Sequence, residues 1–224
     1  MPPVPRVKIR CIASLAEARL ALDHGAAALG LVSAMPSGPG VIADDLIAEI
    51  ARALPGTEPQ TFLLTAKTSA PAIAAQHTAA GTTTLQLVDH VPHAELRRLR
   101  ALCPGVALVQ VIHVTGEASV AESVAVAPFV DAVLLDSGNP TLAVKELGGT
   151  GRTHDWALSR RIRDAVFPQP LWLAGGLRAH NVAGVIAAVQ PYGLDLCTGV
   201  RTEGQLDAHK LAEFMAAVYR SPLR

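Results

Sequence analysis

Along its 224 residues the chain repeats one unit, a short apolar run followed by an Ala/Leu-rich stretch of helical periodicity. Strand-like runs fall at 7–12, 27–32, 61–64, 84–88, 106–114, 130–135, 171–174 and 193–197. Helix-like runs lie between and after them, at 15–24, 44–54, 70–80, 92–102, 117–127, 156–166, 179–189 and 206–219. The apolar runs are near-continuous Val, Leu, Ile and Ala rather than alternating. Strands buried on both faces have this pattern, which means a parallel sheet wrapped by helices. Eight of each in strict alternation predict a (β/α)8 TIM barrel, one domain over 1–224. An open doubly wound sheet is the weaker reading, because "RCIASLAEA" has no glycine where a G-x-G-x-x-G turn would stand.

Helix starts are marked as well. Ser14 with Glu17 reads as a capping box, and Asp44 and Asp207 sit where an acid favours a helix N-terminus. Asp155, ahead of Trp156, reads as a helix start rather than a catalytic group. Only 50–60 and 137–155 are long loops.

Half of the residues are hydrophobic and 17% charged, so a sizeable core can form. With 19 basic and 19 acidic side chains the net charge is zero, without the basic excess of a nucleic-acid binder. No uncharged apolar run approaches the length of a membrane span, and "MPPVPRVK" has no apolar core of a signal peptide. Cys11, Cys103 and Cys197 are few, odd in number and far apart. The expectation is a reduced, cytoplasmic protein without structural zinc or other metal.

In such a barrel, chemistry gathers where strands end and the following loops begin. Those points are Arg10 and Cys11, "SAMPSGPGV" at 33–41, Thr65 to Lys67, Gln86 to Asp89, His113, Asp136 with Ser137, Gly175 with Gly176, and Cys197 to Gly199. "GGTG" (148–151, with Gly149), "LAGGL" (173–177) and "CTGV" (197–200) place glycines where backbone N–H groups can approach an anion. The last two follow the seventh and eighth strands, where barrels build phosphate sites. Tight turns alone would also use glycine there. Asp136 ends an apolar run, so desolvation can tune it for acid–base work; an N-cap or loop aspartate is the alternative, and at a barrel strand end the catalytic role is the favoured one. His113 is either a proton carrier or ligand donor, or a satisfied core histidine. Arg10 is permanently charged at the end of a strand that should be buried.

Taken together, "VKI", "GAAALGLV", "LQL", "LLDS", "GGTGRTHDW", "LAGGLRAHNV" and "GLDLCTGVRT" resemble, in order and spacing, the phosphoribosylanthranilate isomerase family of tryptophan biosynthesis. The resemblance spans nearly the whole chain. It implies a (β/α)8 barrel and an Amadori rearrangement of a phosphorylated aminoaldose to an aminoketose, with no metal or organic cofactor. It also implies Asp136 as general acid and phosphate loops at Gly175, Gly176, Thr198 and Gly199; Gly149, Gln86 and His113 are further candidates for substrate or phosphate contact at the strand ends. Monomer and homodimer both remain open, and neither nucleic acid nor membrane is an expected partner.

The departures are as specific as the matches. The family's V-K-I-C-G, whose cysteine is the general base, stands here as V-K-I-Arg10-Cys11. A guanidinium does not act as a base at workable pH. Neighbouring strand residues face opposite ways, so Cys11 replaces that base only if the strand twists or bulges. The S-P-R whose arginine holds the anthranilate carboxylate becomes Ser37-Gly38-Pro39. Q-L-H-G becomes Gln86-Leu87-Val88-Asp89, and Arg201 stands where glutamate is usual. Three readings follow: an isomerase with its base moved to Cys11 or Asp89, a paralogue acting on another phosphosugar, or a phosphosugar-binding barrel without catalysis.

Overall fold

The computed structural model describes residues 4–54, 58–138, 142, 145, 147 and 155–221. Eight parallel strands close into a barrel in chain order: β1 (Arg6–Arg10), β2 (Ala28–Val32), β3 (Gln60–Thr65), β4 (Thr84–Leu87), β5 (Ala107–His113), β6 (Ala132–Asp136), β7 (Leu171–Leu173) and β8 (Gly193–Leu196). The last strand pairs with the first, Lys8 opposite Asp195 and Ile9 opposite Leu196. Helices follow the strands as α1 (Leu15–Asp23), α2 (Asp44–Arg52), α3 (Ala70–Ala80), α4 (His93–Leu102), α5 (Ala118–Val126), α6 (Trp156–Val166), α7 (Val182–Val189) and α8 (Ala208–Tyr219). The expected (β/α)8 architecture is the observed one.

Two cores follow from strand alternation. Outward residues such as Val7, Ile9, Leu29, Leu31, Leu63 and Ile112 pack under the helices. Inward residues such as Ala28, Phe62, Val109, Val111, Leu134 and Trp172 fill the barrel. Runs apolar at every position arise because each strand serves both layers.

The caps behave largely as their chemistry requires. Ser14 accepts from the Glu17 N–H, while Glu17 reaches back to Ala13 rather than to Ser14 itself. Asp155 accepts from the N–H groups of Ala157 and Leu158, and Asp207 from those of His209 and Lys210. Asp44, the first residue of α2, accepts instead from the Ser33 hydroxyl at 2.6 Å and the Gln76 amide, tying the α2 start to the rim of β2 and to α3. After β8 a 3-10 turn (Thr198–Val200) leads into a small antiparallel pair, β9 (Arg201–Thr202) and β10 (Gln205–Leu206), which the apolar pattern did not signal because each strand has only two residues. Among the described residues no helix is long and apolar enough to cross a membrane.

Candidate active site

The C-terminal mouth of the barrel holds a buried charge network. Lys8 and Arg10 project inward from β1, Asp136 from the end of β6 and Asp195 from β8; Arg10 is 7% exposed and Asp136 2%. An arginine fits there partly because Arg10 lies opposite Gly30 of β2. A Cβ at Gly30 would fall 2.6 Å from that of Arg10, so the glycine leaves space for the arginine stem. Arg10 Nη2 lies 3.1 Å from Asp136 Oδ2, and its Nε lies 3.7 Å from Asp195 Oδ2. Lys8 Nζ meets the same Asp195 oxygen at 3.3 Å, contacts Gln86 Oε1, and stands 4.3 Å above the Phe62 ring centroid.

Burial sets the proton energetics. Removal from water pushes Lys8 down to about 8 although Asp195 opposes it, and the same desolvation pushes the Asp195 carboxyl up. Burial also works against the Arg10 charge, but Asp136 and Asp195 outweigh it and hold the guanidinium above its ordinary value. Two cations and two carboxylates therefore balance in one desolvated cluster. Gln86 belongs to its floor: its amide oxygen is engaged by Lys8, and it does not line the loop cavity above.

Above this cluster Arg10 and Asp195 share a cavity with Gly175, Gly176, Thr198 and Gly199. Gly199 is required for that closeness, because a Cβ there would lie 2.1 Å from the Leu177 carbonyl oxygen. The loops after β7 and β8 therefore touch, backbone to backbone. The free space is about 10 Å³, room for one water, so a bound phosphate requires Arg10 or the loops to shift. Gly149 lies outside the described residues.

The family model for N-(5'-phosphoribosyl)anthranilate (PRA) isomerase matches residues 56–217. The N-(5'-phosphoribosyl)anthranilate isomerase of Thermosynechococcus vestitus is 34% identical over 212 residues, 94% of this chain and 88% of that one. That of Synechococcus elongatus is 31% identical over 220 residues, covering 97% and 98%. The phosphoribosyl anthranilate isomerase crystal structure from Thermotoga maritima superposes with a TM-score of 0.82 at 25% identity, covering 96% of this chain and 99% of that one. The Thermus thermophilus structure gives 0.79 at 26%, covering 96% and 98%. The chain belongs to the phosphoribosylanthranilate isomerase family.

Within that family frame, the departures at the barrel mouth acquire positions. The expectation of reduced, unpaired cysteines is corrected. Cys11 and Cys197, 186 residues apart in sequence, form a disulfide with Cα atoms 6.0 Å apart, because barrel closure places the end of β1 beside the end of β8. Only Cys103 is free, buried after α4. Cys11 also escapes strand alternation. Its φ is +64°, a left-handed conformation that costs a non-glycine residue about 1–2 kcal/mol. That turn brings its side chain into the inner cluster next to the inward Arg10. The condition for Cys11 to face the site, a break in the strand, is met, yet its sulfur is spent in the bridge and carries neither a proton nor a thiolate.

Arg201, in the usual glutamate position, is an anchor for this turn. It pairs with Glu17 at 2.8 Å and donates to the Cys11 carbonyl at 2.5 Å. Burial opposes the Glu17 charge, but Arg201 and the N–H groups of Leu206 and Ala13 hold its carboxyl below the usual carboxylate range. The loop carrying Pro39 is held too: Ser37 donates to the Lys145 carbonyl, and the Pro39 carbonyl rests 3.5 Å from Cys11 Sγ. Asp89, the other relocated-base candidate, is paired with Lys145 at 2.5 Å and accepts from the His90 N–H.

His113 ends β5, directly opposite Asp136 in the β5–β6 register, and is 7% exposed. Sequence reasoning missed the Lys8–Asp195 pair. A lysine in an apolar first strand and an aspartate two residues before "CTG" were the only available signal, and neither points to the other without the closed barrel.

Proposed function

We propose that this chain catalyses an Amadori rearrangement of a phosphoribosyl amine, with Asp136 as the acid and the phosphate held by Gly175, Gly176, Thr198 and Gly199. The observation that carries the reading is the buried Arg10–Asp136 ion pair, whose Arg10 partner also lines the cavity under the two glycine loops. A phosphate dianion entering that cavity offers Arg10 a second partner of higher charge and bidentate geometry. Release from the guanidinium leaves Asp136 Oδ2 free to carry a proton to the furanose oxygen. Its Oδ1 stays fixed by the Ser137 N–H at 2.7 Å, so the delivering oxygen is oriented. Ring opening yields an iminium at C1, and proton loss from C2 then gives the enolamine that ketonises.

A second reading is favoured by one observation. The 37–40 segment, where the family's clamp arginine belongs, contains no cation; it bonds the Lys145 carbonyl through Ser37 and packs against Cys11 instead. A phosphoribosyl amine without an aglycone carboxylate would fit such a pocket at no electrostatic cost. Leaving an anthranilate carboxylate unpaired there would cost on the order of 2–5 kcal/mol.

Both readings meet one assay. Loss of phosphoribosylanthranilate fluorescence should be measured on the parent and on Asp136→Asn, beside thermal shifts with inorganic phosphate. Turnover lowered about 10²–10⁴-fold in the variant, with phosphate stabilisation intact, is the expected result. Absent turnover with a retained phosphate shift favours the altered substrate. No turnover and no phosphate shift would sink both.

A further inference from the structure

We infer that the base that removes the C2 proton is His113, acting through Nδ1; this rests on the Amadori reading above. Every other group at the rim proposed for that role is already committed. Arg10 stays protonated, Cys11 is bridged to Cys197, and Asp89 is held by Lys145 and the His90 N–H. Gln86 has no basic atom, and its oxygen is taken by Lys8.

The hydrogen bonding of His113 determines its tautomer. Nε2 lies 3.0 Å from the Val88 carbonyl oxygen. A carbonyl only accepts, so Nε2 carries the proton. The other nitrogen of a neutral imidazole is then a bare lone pair. Nδ1 is buried and has no hydrogen-bond partner among the described residues. A satisfied core histidine would use both nitrogens, since an orphaned buried acceptor costs free energy. Here one nitrogen is anchored and the other is buried without a partner among the described residues, the arrangement of a base whose ring is oriented by a fixed second bond.

Position supports the same role. Val109 and Val111 point into the barrel, and His113 has their parity. Asp136 has the inward parity of Ala132 and Leu134 on the adjoining strand, and the two residues are register partners. Neighbouring strands lie about 4.8 Å apart, so the two residues start from adjacent backbone positions on the inner face, the His113 ring leaning toward Val88 and the Asp136 carboxylate toward Arg10.

The two groups divide the proton transfers. Asp136 protonates the ring oxygen, the C1–O bond breaks, and the nitrogen lone pair forms the C1=N iminium. His113 Nδ1 then takes the proton from C2. The C2–H electron pair becomes the C1=C2 bond and the iminium π pair returns to nitrogen. On ketonisation Asp136 regains a proton from the 2-hydroxyl, and the imidazolium returns its proton to C1. The histidine thus moves one proton from C2 to C1, the aspartate one from O2 to the ring oxygen, and no external oxidant or reductant enters.

The test compares the parent with His113→Gln, which keeps a donor toward Val88 but no basic atom, and with His113→Ala plus added imidazole. We expect His113→Gln to lose about 10²–10⁴-fold in kcat, with a larger primary isotope effect from C2-deuterated substrate. Added imidazole should restore part of the turnover of His113→Ala. Nitrogen-15 NMR of the parent should show Nε2 protonated and Nδ1 bare, a readout independent of turnover. An active parent matched within about threefold by His113→Gln, or a protonated Nδ1, overturns the inference alone. A parent that turns over only with a dithiol reductant assigns the base to Cys11 instead. A parent that never isomerises the substrate removes the isomerase reading and this one with it.

Discussion

Replacing Arg10 by Met removes the charge while keeping a long apolar stem, and the consequence can be worked from the geometry. Arg10 faces Asp136 at 3.1 Å and Asp195 at 3.7 Å, with side chains no more than 9% exposed. At an effective dielectric constant of about 20 each contact is worth roughly 5 kcal/mol of Coulomb attraction, most of it offset by desolvation of the ions. The net loss is set by what remains. Lys8 balances one of the two carboxylates, and Asp136 is left as an uncompensated buried anion. Breaking one partner out of such a pair costs about 3–5 kcal/mol, or roughly 10 °C in melting temperature for a chain of this size. Arg10→Met combined with Asp136→Asn removes both charges and should recover most of that loss, a coupling of at least about 2 kcal/mol.

The pH dependence has a definite sign. The folded Asp195 carboxyl titrates above its unfolded value, so the cost of burying its anion appears as pH rises through the folded value. Arg10 is one of the two cations opposing that cost. The deficit of Arg10→Met should therefore shrink on acidification toward the carboxylate range and be full at neutral pH. Urea unfolding of the parent, both singles and the double variant, followed by circular dichroism at two pH values, reads all of this. A single-variant loss below about 1 kcal/mol with no coupling would mean the pair behaves as a solvated surface contact, and the buried-network reasoning would fail.

The Cys11–Cys197 bridge predicts one titratable thiol in the unreduced, denatured protein and three after reduction, since the chain has three cysteines and only Cys103 is free. Reduction should also lower stability by up to about 5 kcal/mol, the loop-entropy value for so long a closure; three thiols without reductant would dispose of the bridge. Lys8, held near 8, sheds its proton in the folded state while the unfolded chain keeps it up to its ordinary value of 10.5. The unfolded state then binds the extra proton, so stability should rise with pH across that window, by at most about 1.4 kcal/mol per pH unit. Lys8→Met should flatten the rise, and a parent curve falling there would contradict the depressed lysine.

The eight-fold alternation was legible because parallel barrel strands serve two cores at once and so read as unbroken apolar runs, whereas helices announce themselves by period and caps. Even single positions could be placed: Arg10 and Asp136 are the final residues of β1 and β6, where a polar residue closes each run. Exact strand ends shifted by a residue or two, as at β6, which starts at Ala132 rather than 130, because the preceding Ala127–Phe129 turn is as apolar as the strand.

Contacts between distant segments were not legible. Nothing local in "RCI" or "LCTG" says that two cysteines 186 residues apart will meet, since that follows from β1 pairing with β8. The left-handed turn at Cys11, the second partner of Lys8, and the His113 nitrogen without a partner among the described residues are likewise products of closure. Periodicity and residue chemistry, which act over a few residues, determined by themselves the barrel and the ring of strand ends where chemistry could sit. Only the tertiary structure decided which charges neutralise one another and which buried atoms at that ring lack a partner among the described residues, because pairing and desolvation depend on neighbours that the chain supplies from its opposite end.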